Sequence, residues 1–135
     1  MGKRMTTHFH SSEFDCRDGT AYPIEWRDNR LAPLCLALEK LRKKLDAPIT
    51  ISSGYRTLSY NSKIGGARRS QHKEGRAVDI QVGGVSAKKV HTVLLSLIRQ
   101  GEILDGGVGL YGRGNFVHYD QRGKTARWRG GRLRN

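Results

Sequence analysis

Two histidines in this chain stand close to acids. His72 precedes Asp79 by seven residues in SQHKEGRAVDI, and His118 precedes Asp120 by two in FVHYD. A mononuclear metal centre with an open position needs three nitrogen or oxygen donors plus a water. His72, Asp79 and His118 would supply two imidazoles and a carboxylate for one ion. The KEGRA segment lets the chain turn back, with Gly75 as the natural turn residue, so that His72 and Asp79 can converge. Asp79 falls among Ala77, Val78 and Ile80, where an unpaired carboxylate is costly. A metal would compensate it. An ion pair with Arg56 or Arg76, or a place at a strand end in solvent, would do so equally well. Asp120 projects from the same strand face as His118. The other histidines read blandly: His8 and His10 as surface groups in an irregular start, His91 as a partly exposed neighbour of an apolar helix face.

The elements that must position these residues follow from periodicity. Leu31, Leu34, Leu38, Leu41 and Leu45 predict a helix over about 30–45. PITISS and AVDIQV (77–82) read as strands. Ser86 is a good N-cap for a helix over 87–100 with the face Val90, Val93, Leu94, Leu97 and Ile98, stopped by Gly101. GVGLY (107–111) and NFVHYD (115–120) predict a hairpin joined by a tight GRG turn. SSEFDCRDG has room for a helical turn capped by Ser11 or Ser12. SGYRTLSYNSKIGGARR reads as loop with room for one more turn of helix. Trp26, Tyr55, Tyr60 and Tyr111 read as core or half-buried packing, with groove lining as the other reading. The sum is an α+β fold, a small and mostly antiparallel sheet with flanking helices. One domain over 1–135 is expected, with irregular basic ends at about 1–12 and 123–135.

Composition narrows the partners. There are 25 basic and 12 acidic residues among 135, a net charge of +13. Such a field attracts polyanions, either nucleic acid or an anionic cell envelope. From Gln121 onward there are six basic residues and no acid, which reads as a solvated end or a polyanion-attracting tail. No zinc finger, helix-turn-helix or RNA-binding aromatic signature accompanies the charge, so nucleic-acid contact would be non-specific. No run approaches the roughly 18 apolar residues of a membrane span. MGKRMTTHFHSSEF has no apolar stretch behind its charges and is not a secretory signal. The expected location is therefore cytoplasmic at synthesis. Cys16 and Cys35 are too few for a disulfide framework, and Cys35 reads as a small buried hydrophobe. A monomer is expected.

SQHKEGRAVD fits S-x-H-x-x-G-x-A-x-D through Ser70, His72, Gly75, Ala77 and Asp79. With GVGLYGRGNFVHYDQR downstream and SGYRTLSYNSKIGGARR upstream, the chain resembles the M15 family of zinc D-alanyl-D-alanine peptidases and related peptidoglycan endopeptidases. HFHSSEFDCRDG and TARWRG extend the likeness to both ends, in the manner of the small single-domain branch. The resemblance implies the hedgehog/DD-peptidase-like fold. It implies one Zn2+ held by His72, Asp79 and His118, with Arg56 facing a substrate carboxylate or carbonyl. Ser70 and Asn61 would bind substrate. Several relatives keep a carboxylate three residues before the last ligand, or a histidine two before it, as general base. Here Asn115 and Phe116 stand at those places, so Asp120 is the expected base, with an ion pair to Arg122 as its other reading. The implied function is hydrolysis of peptidoglycan stem peptides or cross-links by a phage or prophage lysin, reaching the wall from a virion or by a holin-like route. A zinc-containing non-catalytic wall-binding or assembly protein, or a basic nucleic-acid-binding module, are the alternatives.

Overall fold

In AVDIQV, Val78, Ile80 and Val82 alternate with Ala77, Asp79 and Gln81, so the strand offers one apolar face and one chemical face. The same split recurs in its neighbours and organises the molecule. The computed structural model describes residues 2–130. In chain order its elements are β1 (Arg4–Thr6), β2 (Phe9–His10), α1 (Ala32–Leu45), β3 (Ile49–Ser53), α2 (Leu58–Lys63), β4 (Ala77–Val82), α3 (Ala87–Arg99), β5 (Gly107–Tyr111), β6 (Phe116–Asp120) and β7 (Ala126–Arg129). Five strands form a sheet ordered β3-β4-β6-β5-β7. Every pairing is antiparallel except β5 with β7, which is parallel. The architecture is α+β, as the sequence predicts.

The apolar face of the sheet, with Ile51, Val78, Ile80, Val108, Leu110 and Val117, joins the buried sides of α1 and α3 in one core. Full burial of each aliphatic side chain contributes roughly 1.5–3 kcal/mol. Ser86 caps α3 by accepting from the Lys89 N–H, and Gly101 follows the helix at φ 74°. α1 begins two residues later than its leucine spacing suggests, because Arg27–Leu31 wind a π-helical turn ahead of it. Cys16 and Cys35 are both buried and unbridged. Burial pushes the Cys35 thiol up to about 12.

The ends depart from expectation. Residues in the supposedly irregular start form the β1–β2 hairpin, and Ala126–Arg129 pair along the sheet edge as β7. Residues 131–135, with Arg132 and Arg134 of the basic tail, lie outside the described residues. The helical turn in SSEFDCRDG is a 3-10 turn over Ser11–Phe14, but its N-cap is His10 rather than a serine. The His10 ring accepts from the Ser12 N–H, and the Glu13 carboxylate accepts from the His10 N–H. The connection between β5 and β6 is longer than GRG, because Tyr111 pairs with Phe116 and leaves 112–115 as a four-residue loop. Asn115 closes it at φ 54°.

His8 is also more engaged than a surface group. The Glu39 carboxylate of α1 accepts from the Thr6 hydroxyl and the His8 N–H, each at 2.7 Å, and lies 2.7 Å from His8 Nδ1. Partial burial pushes this carboxyl up, but the bonds from His8 and Thr6 outweigh it and hold it below the usual range. A depressed carboxyl adds stability that is present above its unfolded value and lost as pH falls through the folded one. Glu39→Gln is expected to lower stability by about 1 kcal/mol at neutral pH, given the partial exposure. The deficit relative to the parent should shrink below about pH 4, as read from urea melts at several pH values.

Candidate metal centre

Three elements converge on the polar face of the sheet. The first is the short 3-10 turn Gln71–Glu74, which carries His72. Ser70 caps it by accepting from the His72 N–H at 3.2 Å. Gly75 ends it at φ 69°, a left-handed conformation that glycine adopts without a Cβ penalty. A Cβ on Gly75 would also meet Trp26 Cε3 at 2.7 Å and the Tyr22 hydroxyl at 2.8 Å. Gly75→Ala is therefore expected to destabilise the protein by ~2–4 kcal/mol and to weaken metal binding through His72, measured by thermal melting and metal titration.

The second and third elements are β4 and β6, whose register sets Asp79 directly opposite His118. His72, Asp79 and His118 are all buried, and one donor atom from each lies within 4.8 Å of the others. Asp79 Oδ1 is 3.2 Å from His72 Nε2 and 3.1 Å from His118 Nδ1. The far ring nitrogens are engaged too. His72 Nδ1 donates to the Gly54 carbonyl at 2.7 Å. His118 Nε2 donates to Asp120 Oδ2 at 2.6 Å. A carbonyl can only accept, so it assigns the His72 proton to Nδ1, and the Asp120 carboxylate does the same for Nε2 of His118. Two imidazole lone pairs and a carboxylate oxygen then face one another. Three acceptors at such range require a proton or a cation between them. A His₂Asp set of nitrogen and oxygen donors suits zinc and related divalent ions.

The pKa directions agree with that reading. Burial, aided by the charges of Arg56 and His118, drives His72 down against the pull of Asp79. Burial opposes charge on His118 as well, but its hydrogen bonds to the Asp120 and Asp79 carboxylates overcome it and raise this ring above its ordinary value. Burial would raise Asp79, yet His72 and His118 hold it well below the usual carboxylate range.

Arg56 sits on the other side of Asp79, 3% exposed, with Nη2 donating to Asp79 Oδ2 at 3.4 Å. The two sequence readings of Asp79, metal donor and arginine partner, thus describe its two oxygens. Arg56 Nε donates to Ser53 Oγ and Nη1 to Asn61 Oδ1, each at 3.2 Å. Asn61 lies on α2, a helix capped by Thr57 within a segment read mainly as loop. Its amide nitrogen donates to the Ala67 carbonyl. Asn61 therefore orients the guanidinium, and Ser70 orients the His72 turn.

Asp120 and Asp79 meet opposite nitrogens of the His118 ring. Asp120 is fully buried behind that ring. Besides that ring it accepts from the Gly107 N–H, the Arg122 N–H, Arg122 Nε and Arg122 Nη2 at 2.7–3.1 Å. Burial would raise its pKa, but His118 and Arg122 depress it well below the carboxylate range. Asn115 is occupied elsewhere, its Oδ1 accepting from the Ala87 N–H at the start of α3.

The glycines of GVGLY make room for this arrangement. A Cβ on Gly107 would stand 2.2 Å from Asp120 Oδ2, and one on Gly109 2.3 Å from Trp128 Nε1. Trp128 of β7 lies over His118 with ring centroids 5.0 Å apart, and donates Nε1–H to the Tyr111 hydroxyl. Residue-by-residue reading singles out neither Trp128 nor these glycines; the signal was the pairing of two glycines in one strand with a distant tryptophan. Among the aromatic residues, Tyr22, Trp26 and Tyr55 pack edge to face, while Tyr111 stacks on Phe116.

Comparison with known proteins gives an independent result. Residues 7–120 match the family described as Peptidase M15. The chain is 34% identical over 86 residues to a peptidoglycan L,D-endopeptidase, MepK, of Escherichia coli K12, covering 60% of this chain and 43% of that protein. A probable peptidoglycan L,D-endopeptidase of Haemophilus influenzae is 36% identical over 90 residues, 63% of this chain and 45% of that one. A zinc D-Ala-D-Ala carboxypeptidase of Streptomyces albus G is 45% identical over 38 residues, 28% of this chain and 15% of that one. The chain thus spans less than half the length of these curated relatives.

Proposed function

The chain belongs to the peptidase M15 family, and from that premise we propose that it is a zinc-dependent peptidase acting on the stem peptides or cross-links of peptidoglycan. The observation that carries this reading is the convergence of His72 Nε2, Asp79 Oδ1 and His118 Nδ1 on one point, with both far ring nitrogens already engaged. Zinc held there would supply Lewis acidity toward the scissile carbonyl and lower the pKa of a water. The chain's own residues do the rest. Asp120 fixes the ring of His118 and its tautomer, and Gly54 does the same for His72. Arg56, held by Ser53 and Asn61, is a fixed cation for a substrate carboxylate or for negative charge developing on the carbonyl oxygen. We read Asp120 as a positioning residue rather than the general base, because both its oxygens are already engaged, Oδ1 by the Gly107 N–H and Arg122 Nε and Oδ2 by His118 Nε2 and Arg122 Nη2. Its pairing with Arg122 supports the other sequence reading of this acid.

We extend the proposal to a phage or prophage lysin, since a net charge of +13 suits a protein that must find an anionic envelope. The test is digestion of purified peptidoglycan with mass spectrometry of the released fragments. Digestion should stop on chelation and return with zinc. Digestion that persists in chelator would overturn the zinc reading. A second reading rests on Asn115, whose amide caps α3 where several relatives keep an acid. It describes a metal-loaded wall-binding protein without turnover. Full zinc occupancy with intact peptidoglycan in the same assay would favour it.

A further inference from the structure

The surface beside the metal centre is unusually cationic. A cleft of about 380 Å³ runs between the loop that carries His72 and the start of the final segment. Its walls bear Arg68, Arg69, Lys73, Arg76 and Arg122, against one acid, Glu74. That acid is already claimed, since Arg30 Nη1 lies 3.6 Å from its carboxylate. Arg122 is committed to Asp120, and the Lys73 ammonium donates to the Arg68 carbonyl. Among the described residues no carboxylate pairs with Arg68, Arg69, Lys73 or Arg76. Like charges gathered in a concavity repel one another and cost stability, unless an anion is drawn in. The cleft is linked to the metal centre through two of its lining residues. Ser70 in its wall caps the turn of His72, and Arg122 grips the carboxylate that holds His118.

We propose that this cleft is an anion subsite for the substrate, holding carboxylates that flank the scissile bond, so that the protein selects peptides by their free acid groups. The proposal rests on the peptidase reading for the nature of the ligand. Peptidoglycan stem peptides carry several carboxylates, some of which occur as amides, and the two forms differ at this cleft by whole charges. Arginine forks match carboxylates in a bidentate manner, which makes the contact directional as well as electrostatic.

The test uses the full chain loaded with zinc and a pair of synthetic stem-type peptides, one with two free carboxylates beside the scissile bond and one with both amidated. Dissociation constants are read by calorimetry, and hydrolysis is followed separately. The parent should bind the free-acid peptide about tenfold tighter or more, as expected for loss of a charge-assisted contact. In Arg68→Gln/Arg69→Gln that ratio should fall to within about threefold. In Lys44→Gln/Lys88→Gln, which removes equal charge from exposed sites away from the cleft, the ratio should persist. Single Arg69→Gln, if the double variant folds poorly, should give an intermediate ratio. A parent that binds both peptides equally overturns the subsite. So does a ratio that survives in the cleft variants, or that drops equally in the control, which would mark a diffuse field. If the ratio behaves as expected but neither peptide is cut, the subsite stands and the peptidase reading fails.

Discussion

Asp79→Asn is expected to remove the metal and the proposed hydrolytic activity together. Asp79 offers one oxygen to the two histidines and the other to Arg56. An amide keeps the volume but loses the charge, and either its oxygen or its nitrogen must face the donor pair. A catalytic metal supplies several kcal/mol of transition-state stabilisation, and each ~1.4 kcal/mol is tenfold in rate. Turnover should therefore fall by about a thousandfold or more, and zinc content after dialysis should drop toward zero. The change also leaves Arg56 buried beside a neutral group. Breaking a buried charge pair costs ~3–5 kcal/mol, so the variant should melt lower even without metal. Retention of one zinc per chain by Asp79→Asn, measured by elemental analysis, would falsify the three-donor site.

Asp120→Asn separates two roles for the same carboxylate. As the group that orients His118, Asp120 would act through metal affinity, and loss of such a partner costs ~10–100-fold in affinity or activity. The asparagine also loses the paired contact with Arg122 Nε and Nη2. The expected result is weaker zinc binding, with activity recovered in large part at saturating zinc. A general base predicts the reverse: full zinc affinity and a loss of turnover that added zinc does not repair. Metal titration with a competing chelator, run beside turnover at several zinc concentrations, decides between them.

Much of the site was legible from local patterns. The alternation in AVDIQV gives a strand with Asp79 on its polar face, and the structure has it at Ala77–Val82. The leucine spacing and Ser86 locate the two long helices because amphipathic period and capping are properties of neighbouring residues. His72, Gly75 and Asp79 lie within one turn and one strand, so spacing made them and the strand residue His118 a candidate donor set, and the likeness of the motif to a known family weighted it over an ion pair with arginine. The short elements were less legible. ARWR has no apolar run, and β7 exists because Gly107 and Gly109 leave room for Asp120 and Trp128 and because a parallel partner was waiting at the sheet edge. The β1–β2 hairpin is likewise held by Glu39, some thirty residues away.

By itself, then, the sequence determined the candidate donor residues, the two strands that carry Asp79 and His118, the fold class and the excess of positive charge. Tertiary structure alone decided which way each donor faces. The register of β4 against β6 sets Asp79 opposite His118, and the room above Gly107 lets Asp120 reach the second ring nitrogen of His118. It also gathered Arg68, Arg69, Lys73, Arg76 and Arg122 into one cleft. The reason is physical: periodicity and caps act over a few residues, whereas register, the space a missing Cβ leaves, and the meeting of like charges arise only when distant segments pack.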